Sequence, residues 1–134
     1  MRILLDTGPL VAILNQRDAY HAWSVDQARG LAPPFFTCEA VLAEAHFLLQ
    51  GTKQGRRHLI ELLDSGRIEL TGLIAENLSR VGELMNTYSN VRMDFADACL
   101  VCMNELTGGT VFTLDSDFRI YRKYQAEAID LLIP

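Results

Sequence analysis

Ile3-Leu4-Leu5-Asp6-Thr7-Gly8-Pro9 and Val111-Phe112-Thr113-Leu114-Asp115-Ser116-Asp117 decide the architecture of this chain. Each begins with a short, almost wholly apolar run, as a strand buried on both faces of a parallel sheet requires. Each run then stops at an aspartate. In open α/β sheets, ligands bind beyond the carboxyl ends of the strands. If the two runs are neighbouring strands, Asp6 and Asp115 meet at one spot from opposite ends of the sequence.

Working outward, Gly, Pro and Asn mark further elements. Residues 2–5 read as the first strand, and a helix is expected over 10–14. A second helix is expected over 18–29, with Tyr20, Trp23 and Ala28 turned inward. Pro33-Pro34 sets an extended approach to a strand at 35–37. Three- and four-residue apolar spacing predicts helices over 39–50, 54–64, 75–88 and 94–106. Strands at 68–70, 110–113 and 128–133 complete the pattern, with a short helical or irregular excursion over 117–124. Strands alternating with helices of about a dozen residues need crossover connections. The expected fold is therefore α/β: a single three-layer α/β/α domain over residues 1–134, with a parallel sheet of four to five short strands flanked by helices.

The 134 residues suffice for one domain with a real core. The composition, 49% hydrophobic and 22% charged, excludes a disordered chain. No apolar run reaches the roughly 18 residues of a membrane span, and no signal-peptide pattern precedes the first strand. A cytoplasmic protein without membrane contact is expected. Cys38, Cys99 and Cys102 read as buried inert thiols, because the neighbours of Cys99 and Cys102 are helical and apolar. His21, His46 and His58 lack zinc-like spacing and read as structural or surface residues. The net charge of -5 is adverse for a nucleic-acid binder. Six of the acids, however, belong to the suspected site, where a cation would offset part of their charge. Basic residues gather at 53–58 and 119–123, either as phosphate contacts or as solvated helix faces.

The acids carry the chemistry. With Glu44 as origin and 100° per residue, Ala40, Val41, Phe47 and Leu48 fall within about 60° of it, so Glu44 is expected on an inward face. Asp94 and Asp97 open the helix over 94–106, whose buried face is expected at Phe95, Ala98, Cys99, Cys102, Met103 and Leu106. Asp97 is taken as a ligand and Asp94 as a cap or more distant acid, two roles that sequence leaves interchangeable. Asp115 is taken as nearer the strand end. Asp117 holds a second ion or its bridging water, or else caps the short helix at Phe118. Thr7 and Thr113 place hydroxyls beside the acids. Buried carboxylates are costly unless compensated, and the default partner for several is a divalent cation. Magnesium takes an all-oxygen shell and serves phosphodiester hydrolysis without a protein nucleophile. Crowding raises the pKa values of the acids, so the metal-free site should weaken the fold.

With these residues in hand, the chain resembles the PIN-domain family, and within it the VapC-type ribonuclease toxins of bacterial toxin–antitoxin pairs. The resemblance rests on four stretches in order: Leu4-Leu5-Asp6-Thr7-Gly8-Pro9-Leu10, Thr37-Cys38-Glu39-Ala40-Val41-Leu42-Ala43-Glu44-Ala45, Met93-Asp94-Phe95-Ala96-Asp97-Ala98, and Thr113-Leu114-Asp115-Ser116-Asp117-Phe118. It implies a parallel sheet with flanking helices and Mg2+- or Mn2+-dependent cleavage of RNA, with tRNA or another structured RNA as substrate. It also implies a homodimer and a small antitoxin whose tail enters the active-site groove. On the motif pattern, the catalytic metal ligands are Asp6, Glu44, Asp97 and Asp115. The helices over 39–50, or 54–64 with Leu59, Leu62 and Leu63, offer candidate dimer faces. A PIN-type RNA-processing nuclease outside a toxin pair and a non-catalytic interaction module are the competing readings. A phosphoaspartate enzyme is disfavoured, since position 8 is Gly and no lysine follows the strand over 110–113 before Lys123.

Overall fold

The apolar triplets become the strands. In the computed structural model, which describes residues 1–134, Ile3–Leu5 (β1) is the middle strand of a five-stranded parallel sheet. It pairs with Phe35–Thr37 (β2) on one side and Thr110–Phe112 (β4) on the other. Ile68–Leu70 (β3) and Leu131–Leu132 (β7) extend the edges, giving the order β3-β2-β1-β4-β7. Every β1 side chain is buried, which explains why its sequence shows no polar alternation. A separate antiparallel hairpin joins Arg122–Lys123 (β5) to Glu127–Ala128 (β6).

Six helices flank the sheet: Thr7–Leu14 (α1), His21–Arg29 (α2), Glu39–Leu48 (α3), Lys53–Asp64 (α4), Leu78–Thr87 (α5) and Phe95–Thr107 (α6). The expected single α/β/α domain is what the chain forms. α6 lies against β1, β4, α3 and α5, and every residue from 96 to 105 is buried. Such a helix reads as apolar nearly all round, so its one buried acid away from the sheet's carboxyl edge needs a partner. Glu105 has one: it accepts from Arg80 Nε (2.8 Å), Arg80 Nη2 (2.7 Å) and the Tyr124 backbone N–H (2.6 Å). This fork joins α5, α6 and the hairpin.

Several expectations shift. α1 begins at Thr7, because Asp6 supplies its cap. α2 begins at His21, since Asp18 Oδ1 accepts from Tyr20 N in a local turn. Tyr20 is exposed rather than inward, and Trp23 is half-buried with its ring edge-on to Phe112. On α3 the buried residues are Val41 and Ala45, followed by Leu49, while Phe47 and Leu48 are 62% and 54% exposed. The inward face of α3 is therefore rotated away from the one centred on Glu44, which is half-buried at the rim. Phe95 and Leu106, expected inside, are exposed at the ends of α6, beyond the elements that cover its middle. Leu59 belongs to the core and offers nothing to a dimer face; Ile60 is the exposed residue there. The last strand shrinks to two residues, because residues 127 and 128 pair in the hairpin instead. All three cysteines are buried and free.

Gly55 sets how closely α4 approaches α1. A Cβ there would lie 2.9 Å from the Leu14 carbonyl oxygen and 2.8 Å from Thr52 Cγ2. Gly82 in α5 has nothing within 4 Å. Gly55→Ala is thus expected to destabilise by about 1–3 kcal/mol in urea unfolding. Gly82→Ala should instead stabilise by roughly 0.5–1 kcal/mol. Equal effects of one sign would show that the close approach is not what requires glycine at 55.

Candidate metal centre

β1 and β4 run in parallel with Leu5 opposite Phe112, so both strands stop at the same edge. The Asp6 N–H still donates to the Phe112 carbonyl (3.0 Å), but its side chain has left the sheet. Asp6 Oδ1 accepts from the Thr7 N–H (2.7 Å) and Oδ2 from Thr113 Oγ1 (2.7 Å). Thr113 Oγ1 in turn accepts from the Asp115 N–H (3.0 Å), and Asp115 Oδ1 from the Asp117 N–H (2.9 Å). Two strand ends are thereby laced together through acids and hydroxyls.

α6 brings its first turn to the same place. Asp94 caps it, accepting from the Asp97 N–H (2.8 Å), while Asp97 Oδ2 accepts from the Asp94 N–H (3.3 Å) in a reciprocal capping box. Tyr121 donates its hydroxyl to Asp97 Oδ2 (3.2 Å). α3 contributes Glu44. The result is an open cavity of about 300 Å³ lined by Asp6, Thr7, Gly8, Glu44, Leu48, Asp94, Asp97, Leu114 and Asp115. Five of the six expected acids share this cavity. Asp117 does not line it and holds Asp115 from behind through its N–H, while Thr113 sits fully buried behind Asp6.

No cation neutralises these acids. The ion pairs of the protein are Arg57–Glu61, Arg80–Glu83, Arg80–Glu105 and Lys123–Glu127, all elsewhere. Burial pushes Asp6 up to about 6, against the pull of its bonds from Thr113 and Thr7 and with the help of repulsion from Asp115 and Glu44. Burial, with repulsion from Asp94 and Asp6, pushes Asp97 up to about 8. Tyr121 is also raised, by burial and by the Asp97 charge, which keeps its hydroxyl a donor. Glu105 is the contrast: burial would raise it, yet Arg80 and the Tyr124 N–H hold it below the usual range.

A family model for the PIN domain matches residues 3–124. The chain belongs to the PIN-domain family. Among solved structures it resembles VapC20 of Mycobacterium tuberculosis, described as a sarcin–ricin-loop-cleaving toxin, with a TM-score of 0.75. The two share 21% identity over 86% of this chain and 91% of the other, a likeness of fold. No curated protein matches the sequence. PIN domains are in general metal-dependent nucleases.

In this PIN domain the acids ring a cavity rather than close on a point: no group of three or more His, Cys, Asp or Glu is disposed to hold a metal ion. Four of the five have an oxygen engaged by a backbone N–H. The donor chemistry nevertheless fits a hard divalent cation. The polar side-chain atoms of the lining are all oxygen, without histidine or cysteine, and their charge is uncompensated. Thr7 Oγ1, buried on the same wall, has no hydrogen-bond partner.

Sequence reading missed Tyr121, which lies beyond the acidic motifs and approaches Asp97 only through the turn at Ser116–Arg119. It also missed Gly8, where a Cβ would press on Leu114 Cβ at 3.2 Å across the cavity wall. An unpaired small residue beside a motif acid was the available signal.

In the unfolded chain these carboxyls titrate near 3.8, and in the fold Asp6 and Asp97 hold their protons to about 6 and 8. The folded state therefore binds more protons across that window, and the metal-free protein loses stability as pH rises from 4 through 8. The Asp6 contribution is on the order of 3 kcal/mol. Urea unfolding at pH 5, 7 and 9 in EDTA should show this decline, and Asp97→Asn should flatten its upper limb. Stability that is constant or rising from pH 5 to 9 would refute the account.

Proposed function

We propose that this PIN domain is a divalent-metal-dependent endoribonuclease, the toxin of a toxin–antitoxin pair. The observation that carries this reading is the convergence of five uncompensated carboxylates on one cavity beyond the carboxyl ends of β1 and β4. Asp6, Glu44, Asp97 and Asp115 would hold Mg2+, or Mn2+ in its place. Such an ion polarises a phosphate oxygen and lowers the pKa of a water. The chain's own residues set the stage. Thr113 fixes the rotamer of Asp6, the Asp94 cap and the Tyr121 hydroxyl fix Asp97, and the Asp117 N–H fixes Asp115. Thr7 Oγ1 is the free hydroxyl available to orient a water or a carboxylate.

Water is the proposed nucleophile: the lining holds no Ser, Cys, His or Lys, and its one hydroxyl, Thr7 Oγ1, would orient that water. Cleavage then leaves a 5′-phosphate and a 3′-hydroxyl. A structured RNA is the proposed substrate, tRNA among the candidates; VapC20, of similar fold, is a sarcin–ricin-loop-cleaving toxin. The acidic cavity suits an antitoxin tail bearing Arg or Lys, which would pair with the same carboxylates and exclude the metal. Phe47 and Leu48, exposed on α3 beside the cavity, supply an apolar face for a homodimer.

Metal-loaded protein incubated with total cellular RNA should release specific fragments with 5′-phosphate ends. Fragmentation should stop in EDTA and fall at least a thousandfold in Asp97→Asn. Cyclic phosphate ends would overturn attack by water, and intact RNA with both Mg2+ and Mn2+ would overturn the nuclease itself. Independently of turnover, metal at about tenfold over its dissociation constant should raise Tm by roughly 3–6 °C. Absence of that shift together with intact RNA would leave a non-catalytic interaction module.

A further inference from the structure

A second polar cavity lies at the far end of the same pair of helices. α1 and α3 pack together; Asp6 caps the start of α1, Asn15 caps its end, and Gly51 follows the end of α3. Between those two ends and the first turns of α4 opens a cavity of about 340 Å³. Its polar lining includes Asn15, Gln16, Arg17, His21, Gln54 and His58, and no carboxylate. In a chain with 17 acidic and 12 basic residues, a polar cavity that holds Arg17 and no acid stands out.

The basic side chains here are free. Arg17 and His58 are exposed and make no ion pair. The neighbouring Asp18 carboxylate is engaged by the Tyr20 N–H at 2.8 Å, and Glu61 by Arg57. His21 Nδ1 lies 2.6 Å from the Ala12 carbonyl and donates to it, which leaves Nε2 as the ring's open polar atom. The close approach of α4 at Gly55 brings Gln54 and His58 against the end of α1. The other basic stretch has less to offer: Arg122 Nη1 donates to the carbonyls of Arg119, Ile120 and Tyr121, and Lys123 leans on Glu127.

We propose that this cavity is a phosphate subsite for the RNA strand whose scissile bond sits at the acids, an inference that rests on the endoribonuclease reading. The eight residues of α1 span about 12 Å, a distance that a single RNA strand covers within a few nucleotides. An acidic active-site cavity attracts RNA only through its cation, so backbone affinity has to come from elsewhere on the surface. Arg17 supplies a planar fork for phosphate oxygens, and the amides of Gln54 and Asn15 supply neutral donors. Contacts of this kind position the strand without reading its sequence.

The test uses the double variant Arg17→Ala/His58→Ala, whose exposed side chains leave the core untouched; an unchanged Tm verifies this. Substrates are a nested set of single-stranded RNAs built outward from a bond the wild type cleaves. For wild type, KM should drop about tenfold once the strand is long enough to reach the cavity. The variant should lose that gain, with the loss in KM and not in kcat. The slope of log(1/KM) against log salt should shrink by about 0.7 for the lost Arg17 contact. The same length dependence and salt slope in both proteins would overturn the subsite. So would inorganic phosphate raising KM equally in both, which places the anion site elsewhere. A variant that keeps its RNA affinity but no longer binds an inhibitory protein would overturn it in favour of a protein contact. A binding arm separates this inference from the reading beneath it: fluorescence anisotropy of metal-free Asp97→Asn protein with a mixed-sequence RNA, with and without the two alanine substitutions. RNA affinity that requires Arg17 and His58, without any cleavage by wild type, would keep the cavity and remove the nuclease. Affinity indifferent to them would remove the cavity alone.

Discussion

The hydrogen bond from Thr113 Oγ1 to Asp6 Oδ2, 2.7 Å long, joins residues from opposite ends of the chain and fixes where β1 and β4 stop. Asp6 is 6% exposed and has no cation beside it. A carboxylate in that position is tolerated only because its oxygens are met by donors, and both donors come from the elements it organises. The Thr7 N–H begins α1, and the Thr113 hydroxyl also holds the Asp115 N–H. One side chain thus ends a strand, caps a helix and sets the position of a second acid.

The contrast with Glu105 shows how differently the two kinds of buried acid are met. Both acids are more than nine-tenths buried. Glu105 has the Arg80 fork and a backbone N–H, and its acidity is enhanced. Asp6 and Asp97 have only neutral donors and one another, and both are driven the opposite way. Stability alone would favour the first solution everywhere. The second leaves uncompensated negative potential in a cavity open to solvent, which supports the proposed cation site. The compensated pair also steadies the uncompensated one. Glu105 ties down Tyr124 through the backbone N–H and through the Tyr124 hydroxyl, which donates to the Glu105 carbonyl. A few residues earlier, Tyr121 stacks edge-on with Phe118 and Tyr88 at 5.1 and 5.2 Å while donating to Asp97. The turn and hairpin after β4 therefore act as a brace for an acid on α6.

Sequence exposed the strands because a strand buried on both faces has no room for polar residues, and it exposed the strand-end acids because they interrupt such runs. It exposed α6 as a helix but misjudged its ends, since Phe95 and Leu106 repeat at the right spacing and still project beyond the elements that cover the middle. It misplaced the face of α3 for a related reason. Ala40, Val41, Phe47 and Leu48 surround Glu44 on a helical wheel, yet the packed residues are Val41, Ala45 and Leu49. An apolar stripe wider than the buried one is ambiguous in phase, and a sequence does not say which part meets the core. The Asp94 cap was readable from its position, whereas the Tyr121 bond to Asp97 depends on a 3₁₀ turn and a two-residue hairpin that leave almost no periodic trace.

The ring of acids is unequal in a way that bears on how it closes. Asp6, Asp94, Asp97 and Asp115 each have a carboxylate oxygen held by a backbone N–H, and the elements that carry those groups are packed in the core. Glu44 alone of the five has no such bond, and its side chain is the longest. Tightening this ring therefore costs least through rotation of Glu44, since the four aspartates are held in place. The same helix carries Leu48 on the cavity wall and exposed Phe47 one residue before it. Any surface that settles on this apolar strip restricts the one acid whose position the fold leaves open. The position of Glu44 is thus coupled, through α3, to contacts made beside the cavity.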